Sequence, residues 1–244
     1  MNCLVFGGSG SLGRVVCATL AEQGARVAFT YRNGEAVAKD LLAKLPGGWS
    51  RRLDLLSLPE IDRTVDEAAE ALGGIDAFIQ CAAVAHTVKS TGPKVHHLMG
   101  DVDEAGWDAM MDVNVKSTFF AARKVADVMK RGKGGNIVLV GSIDGVKSVP
   151  SPVHYAAAKG ALGGLTLSMS KELGKNNIRV NLVAPGILEA GLSKILPDEL
   201  MQDYLKHCGL KRLGKLSEIA SVIVWLARQN TYVTGRTILA DGGL

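Results

Sequence analysis

The residues that most constrain this chain are its first thirteen. A short apolar run, Leu4-Val5-Phe6, leads straight into Gly7-Gly8-Ser9-Gly10-Ser11-Leu12-Gly13, after which a helical pattern begins at Arg14. Gly8, Gly10 and Gly13 match GxGxxG between a strand and a helix. Missing side chains there let the backbone turn sharply, and they open the N–H groups of the turn and of the helix N-terminus to an anion such as a pyrophosphate. The opening therefore predicts a strand-turn-helix unit of a layered α/β fold.

The rest of the chain repeats that unit. Apolar runs of strand length at 4–6, 27–30, 49–53, 75–79, 137–140, 178–183 and 237–239 alternate with amphipathic helical patterns near 14–23, 34–45, 58–72, 103–131, 153–175 and 217–228. Continuous apolar strands are buried on both faces, and strand-helix alternation gives parallel crossovers. The expectation is a single domain over 1–244, a Rossmann-type doubly wound parallel sheet. Gly24 closes the first helix, and Ser57-Leu58-Pro59-Glu60 has the spacing of a capping box. Only 84–102 lacks an apolar period, and a loop of that length in a compact domain is usually functional or disordered. Trp107 is expected to pack the start of the long helix, and Cys81 to be a small core residue.

Several function classes drop out. The longest apolar stretch, 219–227, is far short of the ~20 residues of a membrane span. The N-terminus has no basic region before its glycines and reads as a strand, not a signal peptide. Cys3, Cys17, Cys81 and Cys208 lie far apart without metal spacing, so reduced thiols in a cytoplasmic protein are expected. The net charge of +4 is spread along the chain, which implies neither a nucleic-acid nor a membrane partner. His86, His96 and His97 fall in the irregular segment, and the pair His96-His97 has no third ligand at metal spacing, so no metal is expected.

Two constellations carry chemistry. About twenty residues after the glycine turn, where a carboxylate would hold the ribose 2′-hydroxyl of NAD, stands Thr30-Tyr31-Arg32. A guanidinium suits a 2′-phosphate, hence NADP, with Arg14 as a second contributor; the alternative is a solvated surface arginine. The other constellation is Ser142, Tyr155 and Lys159. Tyr155 and Lys159 are four apart on one helix face, where an ammonium favours tyrosinate and supplies a general acid near neutral pH. Ser142 ends a strand at the carboxyl edge of the sheet, where doubly wound folds bind ligands.

Together these residues resemble the short-chain dehydrogenase/reductase family over essentially the whole chain. The features follow in order: the glycine turn, Asp54, Asn114 in Val113-Asn114-Val115, Ser142, Tyr155-Ala156-Ala157-Ala158-Lys159, Arg179-Val180-Asn181, Pro185-Gly186 and Asp241-Gly242-Gly243. The step of thirteen residues from Ser142 to Tyr155 is the family's own. Arg212-Leu213-Gly214-Lys215 through Glu218-Ile219-Ala220, with Tyr232-Val233-Thr234-Gly235, looks most like the 3-oxoacyl-acyl-carrier-protein reductases.

The resemblance implies that Tyr155 protonates a carbonyl oxygen as hydride arrives, that Lys159 holds the nicotinamide ribose, that Ser142 orients the carbonyl, and that Asn114 anchors a water relay to Lys159. It implies cofactor contacts from Gly7 through Gly13, from Asp54 and Leu55 at the adenine, from Cys81, Ala82 and Ala83, and from Pro185, Gly186 and Ile187. It further implies a homotetramer that pairs the helices 103–131 and 153–175, and an acidic carrier protein docking at the site entrance beside Lys133 and a position that aligns with Asn176, next to Lys175; the alternative is two solvated helix ends. The irregular segment 84–102 looks longer than its family counterpart, which would bring Lys89, Lys94, His96 and His97 to the same entrance. The chain departs from the family pattern at Ser11, at Gln80-Cys81-Ala82-Ala83 and at Ala190. The implied reaction is NADPH-dependent reduction of a carrier-linked 3-oxoacyl thioester. Reduction or oxidation of a free small ketone, alcohol or sugar is the alternative within the enzymes; a dinucleotide-binding regulator, which would be free to lose the catalytic set, is the alternative outside them.

Overall fold

The computed structural model describes residues 1–85, 99–191 and 198–244. Seven strands, β1 (Asn2–Phe6), β2 (Arg26–Tyr31), β3 (Trp49–Arg52), β4 (Ala77–Gln80), β5 (Gly135–Val140), β6 (Ile178–Pro185) and β7 (Arg236–Ala240), form one sheet in the order β3-β2-β1-β4-β5-β6-β7. Every pairing is parallel. The order reverses between β1 and β4, so a crevice opens at their carboxyl ends.

Alternation along the strands explains the two helical layers. Leu4, Phe6, Phe78, Ile137, Leu139 and Val180 face a core built with α3 (Leu58–Leu72), α5 (Ser117–Arg131) and α6 (Val153–Leu173). Cys3, Val5, Val27, Phe29, Ile79 and Val138 face the opposite core, with α1 (Ser11–Glu22), α2 (Glu35–Leu42) and α8 (Leu216–Arg228). Phe6 and Phe78 meet edge to face at 5.1 Å, so the few aromatics anchor an otherwise aliphatic interior.

Local signals are partly obeyed. Gly24, at φ 80°, ends α1, with its N–H on the Ala21 carbonyl and that of Ala25 on Leu20. The glycine turn is shorter than expected, because α1 starts at Ser11 rather than Arg14. Ser57 precedes α3 but makes no side-chain cap; Glu60 instead accepts from the Asp54 N–H at 3.3 Å. The long helix expected over 103–131 is three pieces: α4 (Glu104–Met111), a π turn at Asp112–Lys116, and α5. Trp107 on α4 is 41% exposed rather than packed. One helix had no counterpart in the sequence reading, α7 (Asp198–His207). His86, Lys89, Lys94, His96 and His97 lie outside the described residues. Among the described residues no helix is long and apolar enough to cross a membrane.

Candidate active site

The glycine turn acts by close packing. A Cβ on Gly13 would stand 2.2 Å from the Gly7 carbonyl oxygen, and one on Gly8 would stand 2.5 Å from Cβ of Phe29. Both glycines therefore press α1 against the end of β1. Gly7, at φ 79°, accepts from the Gly10 N–H at 3.0 Å, and Gly10 precedes α1, so the turn closes although Ser11 replaces a family glycine. The first N–H groups of α1 have no partner within the helix and face the crevice with its positive dipole end.

A cavity of about 800 Å³ fills that crevice along the carboxyl ends of β1, β4, β5 and β6. Its wall brings together Gly7, Gly10, Ser11, Leu12, Gly13, Cys81, Ala83, Ser142, Tyr155, Lys159, Pro185, Gly186 and Ile187. Three expected residues sit beside it without lining it: Gly8 lies under Phe29, Ala82 packs against Gly7, and Ser9 is half-buried. Leu55 does not reach it and packs against the α3 core. Cys81 is a half-buried wall residue, and burial pushes its thiol up to about 12, so it is no thiolate.

Ser142 is held by a 3-10 turn, Ile143–Gly145, that lies directly on α6. A Cβ at Gly145 would come within 2.4 Å of the Lys159 carbonyl carbon, so only glycine lets the turn approach this closely. Lys159, 4% exposed, donates to the Val140 carbonyl at 3.3 Å, and its Nζ lies 5.6 Å from the Tyr155 ring centre. Burial draws the Lys159 ammonium down to about 8, while Asp144 and Cys81 pull the other way. The expectation that Lys159 lowers the Tyr155 pKa is not met. Burial raises the phenol above its ordinary value, the Asp144 charge adds to this, and Ser142 only partly opposes them. Tyr155 is thereby kept protonated.

Asn114 sits in the π turn, an insertion often found at functional sites. It is 2% exposed, and its amide is spent on Val84 and Met110, away from the cavity wall. Gln80 donates to the Thr118 hydroxyl at 3.1 Å, which donates to the Asn114 carbonyl at 2.8 Å. The residue that departs from the family pattern thus buttresses the one that matches it.

A second cavity, of about 630 Å³, lies at the ends of β2 and β3 and is lined by Arg32, Arg51, Arg52, Asp54 and Glu60 among others. Arg52 donates through Nε to the Arg32 backbone carbonyl at 3.1 Å, and both residues line this cavity. Arg51 is engaged by Glu67, whereas among the described residues no carboxylate ion-pairs with Arg32 or Arg52. Asp54 accepts from the Leu56 N–H at 3.1 Å.

Sequence reasoning missed Arg52, Asp144 and the α7 wall. Tyr204 of α7 donates to the Asp241 carbonyl at 2.7 Å, and Lys147 donates to the Asp241 carboxylate at 2.6 Å. Acidic residues at the start of α7 and basic ones at its end were the available signal. One placement is overturned: Lys133 and Lys175 do not border the entrance. The Asn177 amide donates to the Lys133 carbonyl at 3.0 Å, and β5 and β6 begin immediately afterwards. Both lysines therefore stand at the amino edge of the sheet, roughly 20 Å from Ser142 at ~3.3 Å per residue of β5.

A family model described as enoyl-(acyl carrier protein) reductase matches residues 7–244. A 3-oxoacyl-[acyl-carrier-protein] reductase of Thermotoga maritima is 33% identical over 99% of this chain and 96% of its own length. One from Staphylococcus epidermidis is 30% identical over 100% and 98%. Among solved structures, a short-chain dehydrogenase/reductase from Serratia marcescens superposes with TM-score 0.88 at 28% identity, covering 99% of this chain and 96% of that one. A 3-oxoacyl-[acyl-carrier protein] reductase from Brucella melitensis with bound NAD gives 0.86 at 28%, covering 100% and 90%. With the family model spanning nearly the whole chain, on a parallel sheet with a glycine turn and a Ser-Tyr-Lys wall, the chain belongs to the short-chain dehydrogenase/reductase family and is an oxidoreductase of the CH–OH/C=O couple.

Proposed function

We propose that this protein is an NADPH-dependent ketoreductase that converts a 3-oxoacyl thioester on an acyl carrier protein to the 3-hydroxyacyl form, in fatty acid or polyketide synthesis. The observation that carries this reading is the convergence of Ser142, Tyr155 and Lys159 on one wall of the cavity that also contains the glycine turn. The names of the curated relatives support the substrate class.

The residues present fit a nicotinamide dinucleotide. The N-terminus of α1 faces the cavity across glycines whose Cβ atoms would block its approach to β1, which suits a pyrophosphate. Pro185, Gly186 and Ile187 line the same cavity near Tyr155, where the nicotinamide carboxamide would lie. Arg32 and Arg52, which line the second cavity and ion-pair with no carboxylate among the described residues, suit a 2′-phosphate and favour NADP, with Asp54 at the adenine. When bound, the cofactor supplies a hydride. Tyr155 gives its proton to the carbonyl oxygen, and Ser142 donates a hydrogen bond to the same atom. The Lys159 ammonium, fixed at Val140, offsets the developing oxyanion charge. Asn114 acts from behind, through the π turn.

The test is consumption of NADPH and of NADH with 3-oxobutanoyl-acyl carrier protein. The reading expects turnover and a preference for NADPH; no turnover, or a preference for NADH, contradicts it. Reduction of a free small ketone is the second reading, and one observation favours it: within one protomer the basic helix ends stand at the edge opposite the cavity. Carrier docking therefore depends on a homotetramer whose antiparallel helix pairing brings one protomer's Lys133 and Lys175 to its partner's entrance.

A further inference from the structure

Beside Ser142 in the cavity wall stands the carboxylate of Asp144; the wall's other aspartate, Asp203, belongs to α7. Asp144 cannot swing away with its turn, because the contact of Gly145 with the Lys159 backbone clamps the turn to α6. The Ser142 hydroxyl donates to the Asp144 carboxylate, and the Asp144 N–H points back at the Ser142 oxygen at 3.5 Å. No cation among the described residues ion-pairs with Asp144. Lys147, three residues on, is held by Asp241, and the Lys159 ammonium, whose charge is felt at Asp144, donates to the Val140 carbonyl and not to that carboxylate. A half-buried carboxylate with about four acceptor positions therefore keeps capacity that a molecule in the cavity can fill.

This arrangement bears on the substrate. A ketone oxygen only accepts hydrogen bonds, so it needs the proton that Ser142 gives to Asp144. A plain ketone must take that proton and leave the carboxylate short of a donor. A substrate with its own donor can give it to Asp144 and so free Ser142 for the carbonyl. The adjacency fits: Ser142 Oγ and the Asp144 carboxylate are hydrogen-bonded to each other, and a ketone and a hydroxyl on neighbouring carbons likewise present two adjacent oxygens.

We infer that Asp144 determines specificity by accepting a hydrogen bond from a hydroxyl or ammonium group on the carbon next to the reacting carbonyl, and by rejecting an anion there. The inference rests on the carbonyl-reductase reading and deepens it, since a carrier-linked acyl chain and a free ketone can both carry such a group.

The experiment compares kcat/KM for 1-hydroxybutan-2-one, butan-2-one and 2-oxobutanoate in the wild type, Asp144→Asn and Asp144→Val, with a 3-oxobutanoyl N-acetylcysteamine thioester as reference. The wild type should prefer the hydroxyketone to the plain ketone by about tenfold or more. Asp144→Val should bring the ratio close to one, lowering the hydroxyketone and raising the plain ketone. Asp144→Asn, which keeps the size and one acceptor oxygen, should fall between. Both variants should raise the rate on 2-oxobutanoate. An unchanged ratio in Asp144→Val, a wild-type ratio near one, or turnover of the thioester with neither neutral ketone reduced overturns the inference and leaves the carbonyl-reductase reading standing. No turnover of any carbonyl compound overturns that reading and the inference with it.

Discussion

A lysine that is 4% exposed has lost most of its hydration, and the fall of the Lys159 pKa to about 8 follows from that loss. Below pH 8 the ammonium is charged in both folded and unfolded chains, and burial costs the folded one. Between about 8 and the ordinary value of 10.5 the unfolded chain holds more protons, so stability rises with pH. Relative to Lys159→Met, the wild type should gain roughly 2 kcal/mol between pH 8 and 10, at ~1.4 kcal/mol per unit. Urea melts of both proteins at stepped pH measure it, and a constant gap would contradict the assignment. Cofactor choice belongs to the same scale: Arg32→Ala and Arg52→Ala should each weaken NADPH about tenfold or more and leave NADH nearly unchanged by titration. Arg51→Ala, whose guanidinium is committed to Glu67, should change neither. Arg32 was legible in the sequence because the position after β2 has a known meaning. Arg52 was not, since only the register of β2 with β3, which sets it opposite Tyr31, brings it to the Arg32 backbone.

At the scale of elements, the site depends on how closely the 3-10 turn approaches α6. Gly145→Ala puts a methyl 2.4 Å from the Lys159 carbonyl carbon, a backbone atom that cannot step aside. We expect a loss of about 1–3 kcal/mol, hence a Tm lower by roughly 2–10 °C, together with a fall in kcat as Ser142 moves. A thermal melt and a rate assay decide it; unaltered Tm and kcat would mean the clamp is unimportant. The strands were legible because their apolar runs are continuous, and the observed ends differ from the expected ones by only a few residues. The break in the long helix was not legible. One extra residue turns the apolar stripe by about 100°, but α4 has only eight residues before the π turn, too few to fix a period from which the shift could be read. α7 was missed for a different reason: ten mostly polar residues with one buried side chain, Tyr204, give too weak a period.

For the whole molecule, the question is what covers the outer face of α4, α5 and α6. Trp107, Phe119 and Leu167 are 41%, 40% and 62% exposed, and a Cβ at Gly163 or Gly164 would meet nothing within 4 Å. In an isolated chain Gly163→Ala should stabilise α6 by about 0.5–1 kcal/mol. In the proposed homotetramer, where two copies of α6 approach closely, the same change should weaken assembly. Light scattering of the wild type and Gly163→Ala decides between them, and a wild type that is monomeric near 26 kDa, against a chain mass of 25.7 kDa, would contradict the tetramer. Carrier docking is tested at this scale too. Reversing Lys133 and Lys175 to Glu should raise KM for a carrier-linked substrate severalfold at low salt, lose the effect at high salt, and spare a short thioester. An equal response from both substrates would favour the free-ketone reading.

The central claim is that Tyr155 gives the proton to a carbonyl oxygen, and one measurement tests it most directly. Steady-state reduction of a 3-oxoacyl thioester by Tyr155→Phe, with NADPH affinity measured alongside, separates chemistry from binding. Turnover should fall below about a hundredth of the wild-type rate while NADPH affinity stays within a few-fold. Retention of more than about a tenth of the wild-type rate would contradict it.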